Sequence, residues 1–168
     1  NDGKTDFVAG NNSGISVIVN KSVVNNVSLA APLNFNLQGG FLTIAVSAGD
    51  VDGDNKPDIV FLNRDSIYVM KNITVGSAVS FAPAISYATK IDNEFLIGPT
   101  DILICDLDGD SKPEIAVANT AASQSISIFK NNSVPGTISF PARNDFLTGD
   151  IQPLHLGAED LDGDGKID

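Results

Sequence analysis

The sequence predicts an all-β fold built from repeated four-stranded units the size of β-propeller blades. Three observations carry this expectation. Acidic clusters recur along the chain, with their last carboxylates at Asp6, Asp58, Glu114 and Asp168, a period of 52, 56 and 54 residues. Between clusters lie short apolar runs rich in Ile and Val and bounded by Gly, Asn, Ser and Pro, which is the composition of strands. No stretch of about ten or more residues places its apolar positions at helical spacing. Some fifty residues per four-stranded unit is the scale of one blade.

The 168-residue chain is long enough for one domain with a sizeable core. It opens on a truncated acidic stretch, Asn-Asp-Gly-Lys-Thr-Asp, with Asp2 and Asp6. Phe7-Val8-Ala9-Gly10-Asn11 then reads as the second strand of a blade and residues 15–20 as the third. A looser segment around Ser28-Leu29, ahead of Pro32, reads as the fourth. Residues 42–50 form the entry strand of the next blade and lead into Asp50, Asp52, Asp54 and Asp58. The order then returns with residues 59–63, 66–72, a segment around Ser80-Phe81 ahead of Pro83, and the entry strand 100–106. That strand leads into Asp106, Asp108, Asp110 and Glu114. It returns once more with 115–119, 125–131, Ser139-Phe140 ahead of Pro141, and 153–160 leading into Asp160, Asp162, Asp164 and Asp168.

The repeat units therefore span about 6–58, 58–114 and 114–168, and residues 1–168 are one domain or part of one. Twelve strands are expected, three blades' worth, starting on a second strand and stopping on the entry strand and acid loop of a fourth blade. A cut inside a tight turn predicts a segment of a longer array, a propeller of about six to eight blades.

The complete acidic stretches read DVDGDNKPD, DLDGDSKPE and DLDGDGKID, with carboxylates at positions 1, 3, 5 and 9. In a tight loop these charges converge, and a hard divalent cation with oxygen ligands relieves their repulsion; Ca²⁺ suits the flexible geometry better than Mg²⁺. Position 7 is lysine in all four copies, Lys4, Lys56, Lys112 and Lys166. A lysine side chain cannot bind a cation, so position 7 is expected to offer its backbone carbonyl. Position 6 is Gly3, Asn55, Ser111 and Gly165, mostly residues that tolerate the left-handed backbone of a sharp turn. An EF-hand would need flanking helices and Glu at position 12, where apolar strand residues stand instead.

The acidic loops, followed by an apolar run ending in Asn and then by Ser-Ile-Ser-Ile-Phe-Lys-Asn and Ser-Phe, resemble the FG-GAP or VCBS-like repeat. That repeat is the blade unit of the integrin α-subunit type of β-propeller. The resemblance spans essentially all 168 residues. It implies a propeller, usually seven-bladed, with Ca²⁺ in the loops of one face and partners on the opposite face. It implies metal ligands at Asp50, Asp52, Asp54 and Asp58, at Asp106, Asp108, Asp110 and Glu114, and at Asp160, Asp162, Asp164 and Asp168. The carbonyls of Lys56, Lys112 and Lys166 would join them. Glu114 departs from the pattern by lengthening one arm, and Asp2 with Asp6 would hold a metal poorly alone.

The formal charge of −11 argues against nucleic acid and anionic membrane surfaces as partners. No apolar run reaches membrane-spanning length. One cysteine, Cys105, permits no internal disulfide and is expected to be a buried, inert thiol; one histidine, His155, is expected to be a strand residue, not a base. Asn-x-Ser/Thr triplets begin at Asn11, Asn20, Asn26, Asn72 and Asn131; they matter only in a glycosylating secretory pathway, and most are read as chance matches in an Asn-rich sequence. The expected function is a calcium-stabilised, non-catalytic binding or adhesion module, secreted or at the cell surface, with a protein or glycan ligand. Self-association or contact with further blades of a longer chain is also expected. The alternatives are a lectin-like, glycan-binding propeller and a non-catalytic appendage of a larger secreted enzyme.

Overall fold

Alternating apolar residues in each run let a strand bury one face, and runs apolar at every position can bury both. The computed structural model describes residues 3–37, 42–89, 98–120, 124–149 and 151–168. Eleven strands are present and no helix is seen among the described residues: β1 Phe7–Asn11, β2 Gly14–Ile18, β3 Leu33–Asn36, β4 Ala45–Gly49, β5 Asp58–Leu62, β6 Ser66–Met70, β7 Ile85–Ala88, β8 Pro99–Cys105, β9 Glu114–Asn119, β10 Ser125–Lys130 and β11 Ala142–Leu147. They form three antiparallel meanders, β1-β2-β3, β4-β5-β6-β7 and β8-β9-β10-β11. The expected phase holds: one sheet starts on a second strand and two sheets are complete.

The sheets pack face to face through their middle strands. In β5 all five residues are buried. Ile59 and Phe61 belong to the cluster with Ile15, Val17 and Met70, while Val60 and Leu62 belong to the one with Ile115, Val117, Phe129 and Phe140. β5 thus serves two cores at once, and its unbroken apolar run follows from that.

Two expectations are corrected. The fourth strand of each blade lies after the proline, not on the Ser-Phe or Ser-Leu pair. Those pairs instead close a narrow turn, in which Leu29 bridges Asn20 and Phe81 bridges Asn72. Proline has no N–H to give a ladder, so Pro32, Pro83 and Pro141 interrupt pairing and the outer strand begins beyond them. Residues 153–160 form no strand. In both complete sheets the entry strand pairs with the strand starting at position 9, as Gly49 with Asp58 and Cys105 with Glu114. Here only the first rung exists, the Asp168 N–H donating to the Glu159 carbonyl at 3.0 Å. The segment is held against β8: Thr100 Oγ1 donates to the Pro153 carbonyl (3.2 Å) and the Leu156 N–H to Asp101 (2.9 Å).

Candidate metal centre

The acid loops at 50–58 and 106–114 are hairpins between an entry strand and the strand after it, β4 with β5 and β8 with β9, and all four loops are coiled by residues with left-handed backbone. Position 6 has positive φ in every copy: Gly3 +73°, Asn55 +63°, Ser111 +67° and Gly165 +85°. The turn expected at that position is therefore present, even where the residue has a Cβ. The carboxylate at position 1 organises the coil by accepting backbone N–H groups. Asp50 takes Gly53 (2.8 Å) and Asn55 (2.7 Å), Asp106 takes Gly109 (2.8 Å) and Ser111 (2.8 Å), and Asp160 takes Gly163 (2.7 Å) and Gly165 (2.9 Å).

Position 9 closes the loop onto the neighbouring strands. Asp58 accepts the N–H of Val51 (3.1 Å) and of Asn72 (2.8 Å). Glu114 likewise accepts Leu107 and Asn131, and Asp168 accepts Leu161. In the truncated loop Asp6 accepts the N–H of Asn20 at 2.8 Å, while Asp2 lies outside the described residues.

The outcome is one triad per complete loop. Asp50, Asp52 and Asp58 each bring one carboxylate oxygen within 4.8 Å of the others, as do Asp106, Asp108 and Glu114, and Asp160, Asp162 and Asp168. With Ca²⁺–O distances of about 2.3–2.6 Å, oxygens on one ion lie up to about 5 Å apart, so the donor set and its spread suit a calcium-sized cation. Position 5 stands outside the triads: Asp54, Asp110 and Asp164 use one oxygen to accept the N–H of Lys56, Lys112 and Lys166 (3.0, 2.9 and 2.9 Å).

Two lysines that sequence reasoning passed over enter the site. Lys71, just past β6, places its ammonium on the Asp52 carboxylate and 2.7 Å from Asp54 Oδ2. Lys130, ending β10, does the same with Asp108, and lies 3.1 Å from Asp110 and 3.6 Å from Glu114. Burial opposes the charge on Lys71, but its hydrogen bonds to Asp52 and Asp54 outweigh that and hold its pKa well above the usual lysine value. The Lys71 hydrogen bond lowers the pKa of Asp54, and the Lys130 hydrogen bond lowers that of Asp110. Asp58 goes the other way: burial pushes its carboxyl up to about 6, against the N–H bonds from Asn72 and Val51. The available signal was the Lys-Asn pair closing two of the third-strand runs.

The asparagine at the end of each third-strand run is architectural. The amides of Asn20, Asn72 and Asn131 donate to the position-8 carbonyls of Thr5, Pro57 and Pro113 at 3.0, 2.9 and 2.8 Å. Their side-chain oxygens accept the N–H of Ser22, Thr74 and Ser133, whose hydroxyls in turn accept from Ser28, Ser80 and Ser139. The Asn-x-Ser/Thr triplets at 20, 72 and 131 are thus turn elements. His155 is on the surface, outside any strand, its side chain 87 % exposed and 3.5 Å from Asp101. Cys105 is half-buried, with its thiol pKa raised first by burial and then by Glu114 and Asp106.

Against the known proteins, the model of the FG-GAP-like repeat matches residues 1–61 and 106–168. No curated protein matches the chain. The unmatched stretch contains β6 and β7, which complete the middle sheet in the same order as the matched repeat.

Proposed function

The chain belongs to the family of FG-GAP-like repeats, which suggests a β-propeller-type module for binding or adhesion, and on that premise we propose a calcium-stabilised, non-catalytic, extracellular role for it. The observation that carries this reading is the convergence of three carboxylates at the same loop positions in every complete repeat. A bound Ca²⁺ supplies positive charge that neutralises the cluster. The chain's own residues do the rest: Asp50, Asp106 and Asp160 coil the loops, and Asp58, Glu114 and Asp168 join them to the next strand. The stiffened blades would then present a surface to a protein or glycan ligand. Extracellular modules bind Ca²⁺ at about 10⁻⁴–10⁻³ M, which matches free calcium outside cells.

Further blades, from the same chain or a second copy, complete the proposal. Val51 is buried under the turn at 131–140 of the following sheet, whereas Leu161, at the same loop position, is 80 % exposed. Val24 and Val27, on the corresponding turn of the first sheet, are 89 % and 86 % exposed. Apolar surfaces of this kind suit blade-to-blade contact.

Calorimetric titration with CaCl₂ after chelation, alongside melting in millimolar Ca²⁺ and in EDTA, tests the reading. Calcium uptake and a higher melting temperature in Ca²⁺ than in EDTA are expected, by about 2.7 kcal/mol per site at a hundredfold excess over Kd. Identical melting and no heat of binding for the wild type would refute it.

A further inference from the structure

Both four-carboxylate loops that are followed by a complete third strand carry an ammonium from that strand's end. Lys71 meets Asp52 and Asp54, and Lys130 meets Asp108 and Asp110. Neither lysine belongs to its loop: each arrives from 20 or so residues downstream, at the residue before the Asn that latches position 8. In the first repeat Val19 occupies that place. Asp52 and Asp108 are members of the two triads, so each lysine holds a carboxylate that a divalent ion would also use.

We infer that Lys71 and Lys130 are built-in counter-cations that close their acid loops without metal and must withdraw when a divalent cation enters. This deepens the calcium reading and rests on it. A carboxylate oxygen bonded to an ammonium has one fewer lone pair for a metal, and a +1 charge beside a +2 charge repels it. The lysines therefore lower calcium affinity while protecting the metal-free fold from the mutual repulsion of its acids. Lys71, with 19 % of its side chain exposed against an Asp52 side chain that is fully buried, should exert the stronger effect. Lys130 and Asp108, at 35 % and 48 %, should exert the weaker one.

The test uses the full chain as wild type, Lys71→Met, Lys130→Met and the control Lys21→Met, an exposed lysine on the turn of the first sheet. Calcium binding is read by calorimetry and stability by melting in EDTA. Lys71→Met should bind Ca²⁺ about tenfold more tightly at one site and melt several degrees lower in EDTA. Lys130→Met should change in the same two directions by less, and Lys21→Met in neither. A lysine with a purely structural role would lower the melting temperature without raising affinity. Unchanged or weaker binding in both variants overturns the inference, and should Lys71→Met not fold, Lys130→Met decides it. If the wild type takes up no calcium but the variants do, the calcium reading fails for the native chain and the blocking role of the lysines stands. If neither wild type nor variants bind, both are wrong.

Discussion

Asn131 donates its side-chain amide to the carbonyl of Val51, 80 residues earlier, at 2.9 Å, and to that of Pro113 at 2.8 Å. One side chain therefore ties the acid loop of its own sheet to the acid loop of the sheet before. Gly136, on the same turn, adds an N–H to Asp52 at 3.1 Å. Closing one loop and docking two sheets are consequently the same event at this junction.

Truncating that amide should be costly. Asn131 is 1 % exposed, so Asn131→Ala leaves the buried Val51 carbonyl, the half-buried Pro113 carbonyl and the turn N–H of Ser133 without partners. At about 1–3 kcal/mol for each of the two fully buried groups, a loss of roughly 2–6 kcal/mol follows. Asn72 makes the corresponding bond only to Pro57, near solvent, and Asn72→Ala should cost about 1 kcal/mol. Urea unfolding of both variants separates the cases, and equal midpoints would show that the inter-sheet bond adds nothing.

Within the loops, triad members should matter most. Asp108→Asn removes a converging carboxylate and should abolish one calcium site per chain. Asp110→Asn removes a group that faces Lys130 and the Lys112 N–H, and should weaken the site by less than tenfold. Lys112→Ala keeps its backbone carbonyl and should leave the count of bound ions unchanged. Calcium stoichiometry after gel filtration reads all three. Loss of the site in Asp110→Asn would mean that position 5 ligates directly, as the family resemblance implies.

Ser111 sits at φ +67° where two other copies have glycine. Left-handed backbone costs a residue with a Cβ about 1–2 kcal/mol, partly offset by the greater chain entropy that glycine loses on folding. Ser111→Gly should raise stability by about 0.5–1 kcal/mol, and Ser111→Val should lower it by more than that. A Ser111→Gly variant less stable than wild type in urea would show that the serine side chain earns its place.

The acid loops and blade phase were legible because they depend on residue type at fixed local spacing. Asp50 to Asp58 lie within one turn, and position 6 declares its backbone by being Gly, Asn or Ser. What escaped was non-local. Lys71 and Lys130 look like ordinary polar ends of strands until folding brings them over loops about 20 residues away. Asn131 looks like one of many asparagines until it meets Val51 across a sheet boundary. The fourth strand was misplaced for a different reason: Ser80-Phe81 has strand composition, and its bridge to Asn72 closes a turn that a one-dimensional pattern cannot tell from a ladder.

Protons should stabilise the metal-free protein through Asp58. Burial raises this fully buried carboxyl from 3.8 to about 6. A group with a raised folded-state pKa contributes its full stability below the unfolded value and loses it as pH rises through the folded one, here between about 4 and 6. Asp54 acts oppositely, since Lys71 lowers its pKa; its contribution is present above the unfolded value and fades only as pH falls below about 4. From pH 4.5 to 7 in EDTA, Asp58 therefore dominates, and melting temperature should fall by the equivalent of about 1–3 kcal/mol. Asp58→Asn, neutral throughout, should flatten the profile. In millimolar Ca²⁺ the slope should reverse, because a cation beside Asp58 favours its ionised form. A wild-type melting temperature that climbs over this range in EDTA, or an Asp58→Asn profile parallel to it, would remove Asp58 as the source.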